Sequence, residues 1–404
     1  MKLRNLKDTN VAGKTILYRA PYDIDVVERN GILEVSDDLR ISATIPTIEY
    51  LLRENCKIVI LFYVGRPDGQ VVEKLRTGPH ARCLSELLGR PVEKVDDCIG
   101  ETVEEKIKNM KMQDILMLEN VRFYPEEITD DDAFAQKLCE GKDMIVFDGF
   151  PQAHRRHAST TGIERHLSSV AGFYLAEEVK MLSGLLENPQ KPFALIIGGA
   201  KISDKVDAVN NLLNIADTVL IGGAVANVFL KAEGREIGNS FIEDVFVDKS
   251  KREKKDWVED AKTILNKAKF LGKEIICPKD VIISDGNEIK TIDITKEGVP
   301  SGWMALDIGP ETRETFSHVI EKSKTVFING PMGKTSTEKF IEGSKSVIEA
   351  MKSVNGKTII AGGDTIDMVC KYGSLEDYTY ASLAGGATLE FLAGKELPAL
   401  KALE

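Results

Sequence analysis

The feature that most constrains this fold is an alternation running the length of the chain. Short runs apolar on both faces are each followed by a longer stretch with helical period. The runs are Thr15–Tyr18, Lys57–Phe62, Asp114–Leu118, Met144–Phe147, Phe193–Ile197, Thr218–Ile221, Glu274–Cys277, Thr325–Ile328 and Lys357–Ile360. They are short, rich in Ile, Val, Leu and Phe, and closed by glycine, proline or charged turns. A strand with no polar side must be covered on both faces, which predicts the interior of a parallel sheet. Between the runs lie helix-length segments such as Ala43–Glu54, Gly78–Leu88, Asp131–Leu138, Lys205–Asn214 and Gly343–Ser353. The expected class is therefore α/β with right-handed crossovers. The chain has 404 residues, more than one core usually serves, so two domains are expected.

Gly172–Asn188 carries a long helical period that Pro189 should stop. It lies near the middle of the chain and reads either as a helix joining two α/β domains or as a plain packing helix. The polar stretch Glu243–Lys255 reads as a solvated loop or helix face. With 64 acidic and 53 basic residues the net charge is −11, which argues against broad binding to nucleic acid or anionic membrane. A local basic patch for a small anion remains open. The six cysteines are scattered without a CxxC pair, as buried thiols in a reducing cytoplasm would be. No signal peptide is expected in MKLRNLKDTN, and no run of apolar residues is long enough to span a bilayer. A cytoplasmic protein without membrane attachment is expected.

Three glycine turns follow strands in the second half. Gly198-Gly199-Ala200-Lys201-Ile202-Ser203-Asp204-Lys205 follows Phe193–Ile197 and opens a predicted helix, placing Lys201 and Lys205 one turn apart on one face. Paired glycines let backbone N–H groups approach a phosphate, although this is not a Walker A loop and a solvated lysine pair is the plain alternative. Gly362-Gly363-Asp364-Thr365 repeats the logic, with Asp364 able to meet a Mg²⁺ shared with phosphate or simply to cap a turn. Ser382–Thr388 is a further glycine turn. In the first half, arginines stand at strand ends: Arg40, Arg66, Arg122 and Arg155. Guanidinium groups grip phosphate and carboxylate in bidentate fashion. His154 and His157 have no third ligand nearby in sequence, so a metal site there is not expected.

Taken in order and spacing, these stretches resemble the phosphoglycerate kinase family along essentially the whole chain. The resemblance rests on SDDLRISATIPTIEYLL (36–52), GRP (65–67), DDCIG (96–100), LENVRF (118–123), AHRRHAST (153–160), SVAGF (169–173), ENPQKPFALIIGGAKISDK (187–205), GWMALDIGP (302–310), NGPMG (329–333), GGDT (362–365) and GKELP (394–398). It implies two doubly wound parallel-sheet domains joined by a central helix, in a bilobal kinase that closes about a hinge. The expected divisions are an acceptor domain at 1–171, an interdomain helix at 172–188, a nucleotide domain at 189–390 and a tail at 391–404 packing back on the first domain. The implied reaction moves phosphoryl between 1,3-bisphosphoglycerate and ADP, giving 3-phosphoglycerate and ATP with Mg²⁺ bound. The family is usually monomeric, so a monomer with small-molecule substrates is expected.

Carried over by position, Arg66, Arg122 and Arg155 look like acceptor-binding arginines and Arg40 like the arginine beside the transferring group. Lys201 resembles the catalytic lysine on the moving phosphoryl and Lys205 the lysine on the nucleotide phosphates. Gly362, Gly363, Asp364 and Thr365 resemble the nucleotide loop, with Asp364 toward Mg²⁺. Four departures stand out. The family's Asp-x-Asn is Pro21 and Asp23 here, or with an insertion Asp23 and Asp25, and Asp23 stays as a polar contact either way. Tyr63 stands where the family has histidine, as a substrate-binding residue able to donate a hydrogen bond to the acceptor phosphate but not to become cationic. Lys334-Thr335-Ser336 replaces Val-Phe-Glu, leaving Ser336 or Glu338 for the ribose. Ala224, Ala361 and Ala384 each replace a family glycine. The electrostatic residues are retained, so a working phosphoglycerate kinase is the main expectation. The same mechanism on another carboxylate acceptor, or a non-catalytic nucleotide-binding homologue, are the alternatives.

Overall fold

Each of the apolar runs becomes a strand, and the strands gather into two separate parallel sheets. A computed structural model describes residues 3–243, 245–248 and 253–404. The chain divides into two compact units, Met1–Ser183 with Glu396–Glu404, and Gly184–Lys395.

In the first unit the sheet runs, edge to edge, Glu93–Lys94, Ile115–Met117, Lys57–Leu61, Thr15–Arg19, Met144–Phe147 and Ser169–Ala171, with all neighbours parallel. The central strand is sealed on both faces: Ile16, Leu17, Tyr18 and even Arg19 are fully buried. Ile41, Ile48 and Leu51 from the helix Leu39–Arg53 join the core on one side, with Ala81 and Leu84 from Gly78–Leu88. That first helix starts four residues earlier than its hydrophobic period suggests, because Asp37 Oδ1 accepts from Leu39 N at 3.2 Å. At the sheet edge Ala171 N donates to Arg4 O. The segment after Glu396 completes this unit. Arg4 N donates to Leu403 O and Ala399 N to Ala153 O, while Leu397, Leu400 and Leu403 are buried.

In the second unit the order is Glu274–Ile276, Thr218–Ile221, Phe193–Ile197, Thr325–Asn329, Lys357–Ala361 and Tyr380–Ser382, again parallel throughout. From Phe193–Ile197 the chain winds first one way and then, starting with Thr325–Asn329, the other. The reversal leaves a crevice at the carboxyl ends of those two strands, where ligands of open α/β sheets bind. A separate antiparallel sheet of Asp280–Ser284, Ile289–Asp293 and Met304–Ile308 has its own small core of Val281, Ile283, Ile292 and Val299.

Two local expectations change. Within Glu243–Lys255 and just past it, Val245–Asp248 pairs antiparallel with Glu253–Asp256, so the described residues there are paired strands and not a helix face or plain loop; residues 244 and 249–252 lie outside those described. The helix expected from Lys205 begins at Val206, because residues 202–205 close a tight turn in which Lys205 N donates to Ile202 O at 2.8 Å. The mid-chain helix spans Phe173–Glu187, and the division between the units falls inside it. Among the described residues no helix is long and apolar enough to cross a membrane.

Candidate active site

In the second unit, three loops interlock at the crevice. Gly198 N donates to Asn329 O, Gly199 N to Pro331 O and Gly223 N to Met332 O, at 2.7 to 3.0 Å. The loops are so close that only glycine fits: at Gly330 φ is +90° and a Cβ would stand 2.4 Å from Gly198 O. Thr365 Oγ1 accepts from Gly330 N at 2.8 Å, tying in the start of the helix Gly363–Tyr372. The left-handed backbone at the other two glycine turns falls on Gly362 and Gly385, so Ala361 and Ala384 take none of that strain.

These loops frame a cavity of about 340 Å³ lined by Lys205, Gly330, Gly362, Gly363, Asp364 and Thr365, among others. Lys205 is buried, and that burial draws its ammonium pKa below the ordinary lysine value, against the pull of Asp204, Asp364 and Glu243. Its Nζ donates to Lys201 O at 3.2 Å. A buried ammonium sharing a cavity lining with Gly362 and Gly363, at the start of a helix, suits an anion. Lys201 is exposed and precedes the helix, so the expected pairing of the two ammonium groups on one helical face is not formed. The tight turn at 202–205 is the cause. Asp364 is an exposed carboxylate in the first turn of its helix.

A second cavity, of about 440 Å³, shares Gly199 and Asp364 with the first. Its walls are mostly apolar, with Phe241, Val281, Leu306, Ile308 and Met332, and Ser336 lies on its lining. Glu338 does not line it and pairs with Lys371 at 3.4 Å. Asp307, which the sequence reading did not single out, stands in its wall almost fully buried. It accepts from Ile308 N and Gly343 N, both at 2.9 Å. Desolvation pushes its carboxyl pKa up to about 6.

In the first unit the expected acceptor residues stand on segments that follow sheet strands, apart from Arg40, which lies in the first turn of Leu39–Arg53. Asp23 Oδ1 accepts from Gly65 N at 2.8 Å, Arg40 donates to Asp23 O, and Arg122 Nη1 donates to Gly65 O at 2.6 Å. Asp23 and Arg122 thus meet at one glycine, with Arg40 on the Asp23 carbonyl. Asp25 is exposed and Pro21 buried, leaving Asp23 as the carboxylate of this group. The Arg122 guanidinium lies 3.4 Å from the centre of the Tyr63 ring. Arg155 is half-buried and Arg66 is exposed. Arg122 Nε and Arg155 Nε are buried without a hydrogen-bond partner, as donors awaiting an anion would be.

Behind them sits a pair that sequence reasoning missed. Arg19 is fully buried, with Nε on Ser159 O and Nη2 unpartnered. Glu127, also fully buried, accepts from Ser159 N and Oγ at 2.8 and 2.6 Å. Desolvation works against its ionised form, but contacts with the His157 and Ser159 side chains, and then the Arg19 charge, hold its pKa below the ordinary glutamate value. No local pattern marks either residue, since each is a single charge whose burial depends on distant elements.

The fold and these two sets of cations define a class: an α/β protein of two parallel-sheet units, each offering anion-binding groups at the carboxyl edge of its sheet. Comparison narrows it. The profile described as phosphoglycerate kinase matches residues 6–395. The chain belongs to the phosphoglycerate kinase family. It is 42% identical to the phosphoglycerate kinase of Thermosipho africanus, over all of this chain and 98% of that one. It is 41% identical to that of Moorella thermoacetica, over 98% of each chain. Among solved structures it resembles phosphoglycerate kinase from Pyrococcus horikoshii (TM-score 0.85, 34% identity, covering 99% of this chain and 98% of that one). It also resembles the enzyme from Coxiella burnetii (TM-score 0.83, 32% identity, 100% and 99% covered).

Proposed function

We propose that this protein transfers a phosphoryl group reversibly between 1,3-bisphosphoglycerate and ADP, forming 3-phosphoglycerate and ATP. The observation that carries the reading is family membership across residues 6–395, with relatives about 40% identical over their whole lengths. The chemistry fits the groups present. In the direction of ATP use, a carboxylate oxygen of 3-phosphoglycerate attacks the γ-phosphorus and the bond to the β-phosphate oxygen breaks. That carboxylate is already ionised near neutral pH, so no general base is needed. What the protein must supply is alignment and neutralisation of charge.

In this reading the first unit is the acceptor domain and the second the nucleotide domain. Asp23, Arg66, Arg122 and Arg155 form the acceptor site, with the Tyr63 ring against Arg122, and Arg40 lies beside the transferring group. Lys205 and the amides around Gly362 and Gly363 receive the nucleotide phosphates, Thr365 fixes their loop, and Ser336 faces the ribose. Lys201, exposed and able to reach outward, stabilises the moving phosphoryl. Asp364 is the carboxylate suited to Mg²⁺, which when bound with the nucleotide offsets phosphate charge. One carboxylate is what a cation held largely by nucleotide phosphates and water asks of a protein. A cytoplasmic, monomeric enzyme belongs to the same reading.

The test is turnover of purified protein with Mg-ATP and 3-phosphoglycerate, coupled to reduction of the bisphosphoglycerate and followed as NADH loss. A robust, saturable rate is expected. Binding of Mg-ATP with no turnover would sink the proposed acceptor.

A further inference from the structure

We propose that Tyr63 is a positioning residue that holds the acceptor-site arginines through its ring, and does not serve the acceptor through its hydroxyl. The inference rests on the functional reading above and deepens it. Tyr63 is only 2% exposed, so little of it is open to a ligand. Its ring is the common neighbour of three basic side chains. The Arg122 guanidinium carbon lies 3.4 Å from the ring centre, the Arg19 carbon 5.5 Å, and the His157 ring centre 6.4 Å.

At 3.4 Å from its centre the guanidinium carbon sits over the ring face, where a delocalised, weakly hydrated cation gains from an aromatic surface. Arg122 has few other constraints. Nη1 is tied to Gly65 O, while Nε is buried without a partner. One hydrogen bond leaves a guanidinium able to pivot; the ring beneath it removes that freedom. Arg19 Nη2 is a second buried donor without a partner beside the same ring. Both unpartnered donors surround the aromatic platform, so the ring sets where they are presented to an anion.

The phenol also suits the charge of its surroundings. With Arg19, Arg122 and Arg155 near it, another cation would be repelled. Burial first, and Asp23 second, push the Tyr63 hydroxyl pKa upward, keeping it neutral. A neutral ring can therefore sit among these cations at any ordinary pH. This is how a tyrosine occupies a position where the family motif carries histidine.

The experiment compares Tyr63→Phe, Tyr63→Leu and Arg122→Ala by calorimetric titration of 3-phosphoglycerate and, separately, ADP. Tyr63→Phe keeps the platform and is expected to hold 3-phosphoglycerate within about threefold of wild type, whereas Tyr63→Leu weakens it about tenfold or more. ADP affinity stays within about twofold in both, which separates lost positioning from lost folding. Adding Tyr63→Leu to Arg122→Ala brings clearly less loss than Tyr63→Leu does alone, because the ring acts chiefly through that arginine. Equal losses in the Phe and Leu variants would overturn the inference in favour of a hydroxyl contact. Fully additive losses with Arg122→Ala would overturn it too. Wild-type protein that binds ADP but no 3-phosphoglycerate would overturn the functional reading itself, and this inference with it.

Discussion

Asp307 offers a quantitative test of how the wall of the apolar cavity is held. Its carboxyl accepts from Ile308 N and Gly343 N, yet burial lifts its pKa from 3.8 to about 6. Arg313 lowers the value and Glu342 raises it, but desolvation is the largest effect. A rise from 3.8 to about 6 corresponds to about 3 kcal/mol of preference for the protonated form in the folded protein. The sign follows. Between these two values the folded state binds more protons than the unfolded, so this group's contribution to stability falls as pH rises through that window and is constant above it. Asp307→Asn removes the titration. The amide oxygen can accept one N–H, and leaving the other N–H facing an NH₂ costs about 1–3 kcal/mol at every pH. Urea unfolding of both proteins at about pH 4.5, 5.5, 6.5 and 7.5 isolates the group, because shared titrations cancel in the difference. From about pH 4.5 to 6.5 wild type should lose roughly 2 kcal/mol relative to the Asp307→Asn variant, with little change from there to about pH 7.5. A difference constant across the range would refute the reasoning, since an ordinary carboxylate would already be ionised throughout.

Other expectations follow from the same geometry. Arg40→Ala and Lys201→Ala should each lower kcat by about 10²–10³ while leaving ADP affinity within a few-fold, as measured by steady-state kinetics and titration; near-normal turnover in either would remove that residue from the transfer step. Glu127→Gln removes a fully buried charge that accepts from Ser159 N and Oγ and faces the Arg19 charge, and should destabilise the protein by about 1–3 kcal/mol in urea unfolding. A loss below about 1 kcal/mol would mean that the buried carboxylate is not needed to hold Ser159 and Arg19. Gly330→Ala forces a Cβ against Gly198 O at a φ of +90° and should cost at least about 2 kcal/mol, with weaker ADP binding. Unchanged melting and ADP affinity would show that the loops yield easily.

What could be read from sequence divides along physical lines. Central strands such as Phe193–Ile197 and Met144–Phe147 were legible to the residue because burial on both faces leaves an unbroken apolar run. The edge pieces Glu93–Lys94 and Tyr380–Ser382 were not, being short, partly polar and defined by a neighbour's hydrogen bonds. The hairpin Val26–Arg29 with Ile32–Val35 did carry a signal, the Asn30-Gly31 turn with both residues at positive φ, that the sequence reading passed over. At the candidate site, Lys205 and the glycine turns were visible as a motif. Arg19, Glu127 and Asp307 were not, because nothing local distinguishes a buried charge from a solvated one. The ring beneath Arg122 was legible only as a departure at position 63, and its neighbours emerge in three dimensions alone.

The first unit is not contiguous in sequence, and this sets an order in time. Its sheet can assemble as soon as Ser169–Ala171 has left the ribosome. Yet the seats for Leu397, Leu400 and Leu403, and the partner of Arg4 N, are filled only by residues that follow the whole of the second unit. Through that interval of synthesis the nascent first unit carries an uncovered apolar patch and an unanswered backbone donor. Its last contacts must wait for the second unit to be made, so a stall between the two would leave a chain prone to association.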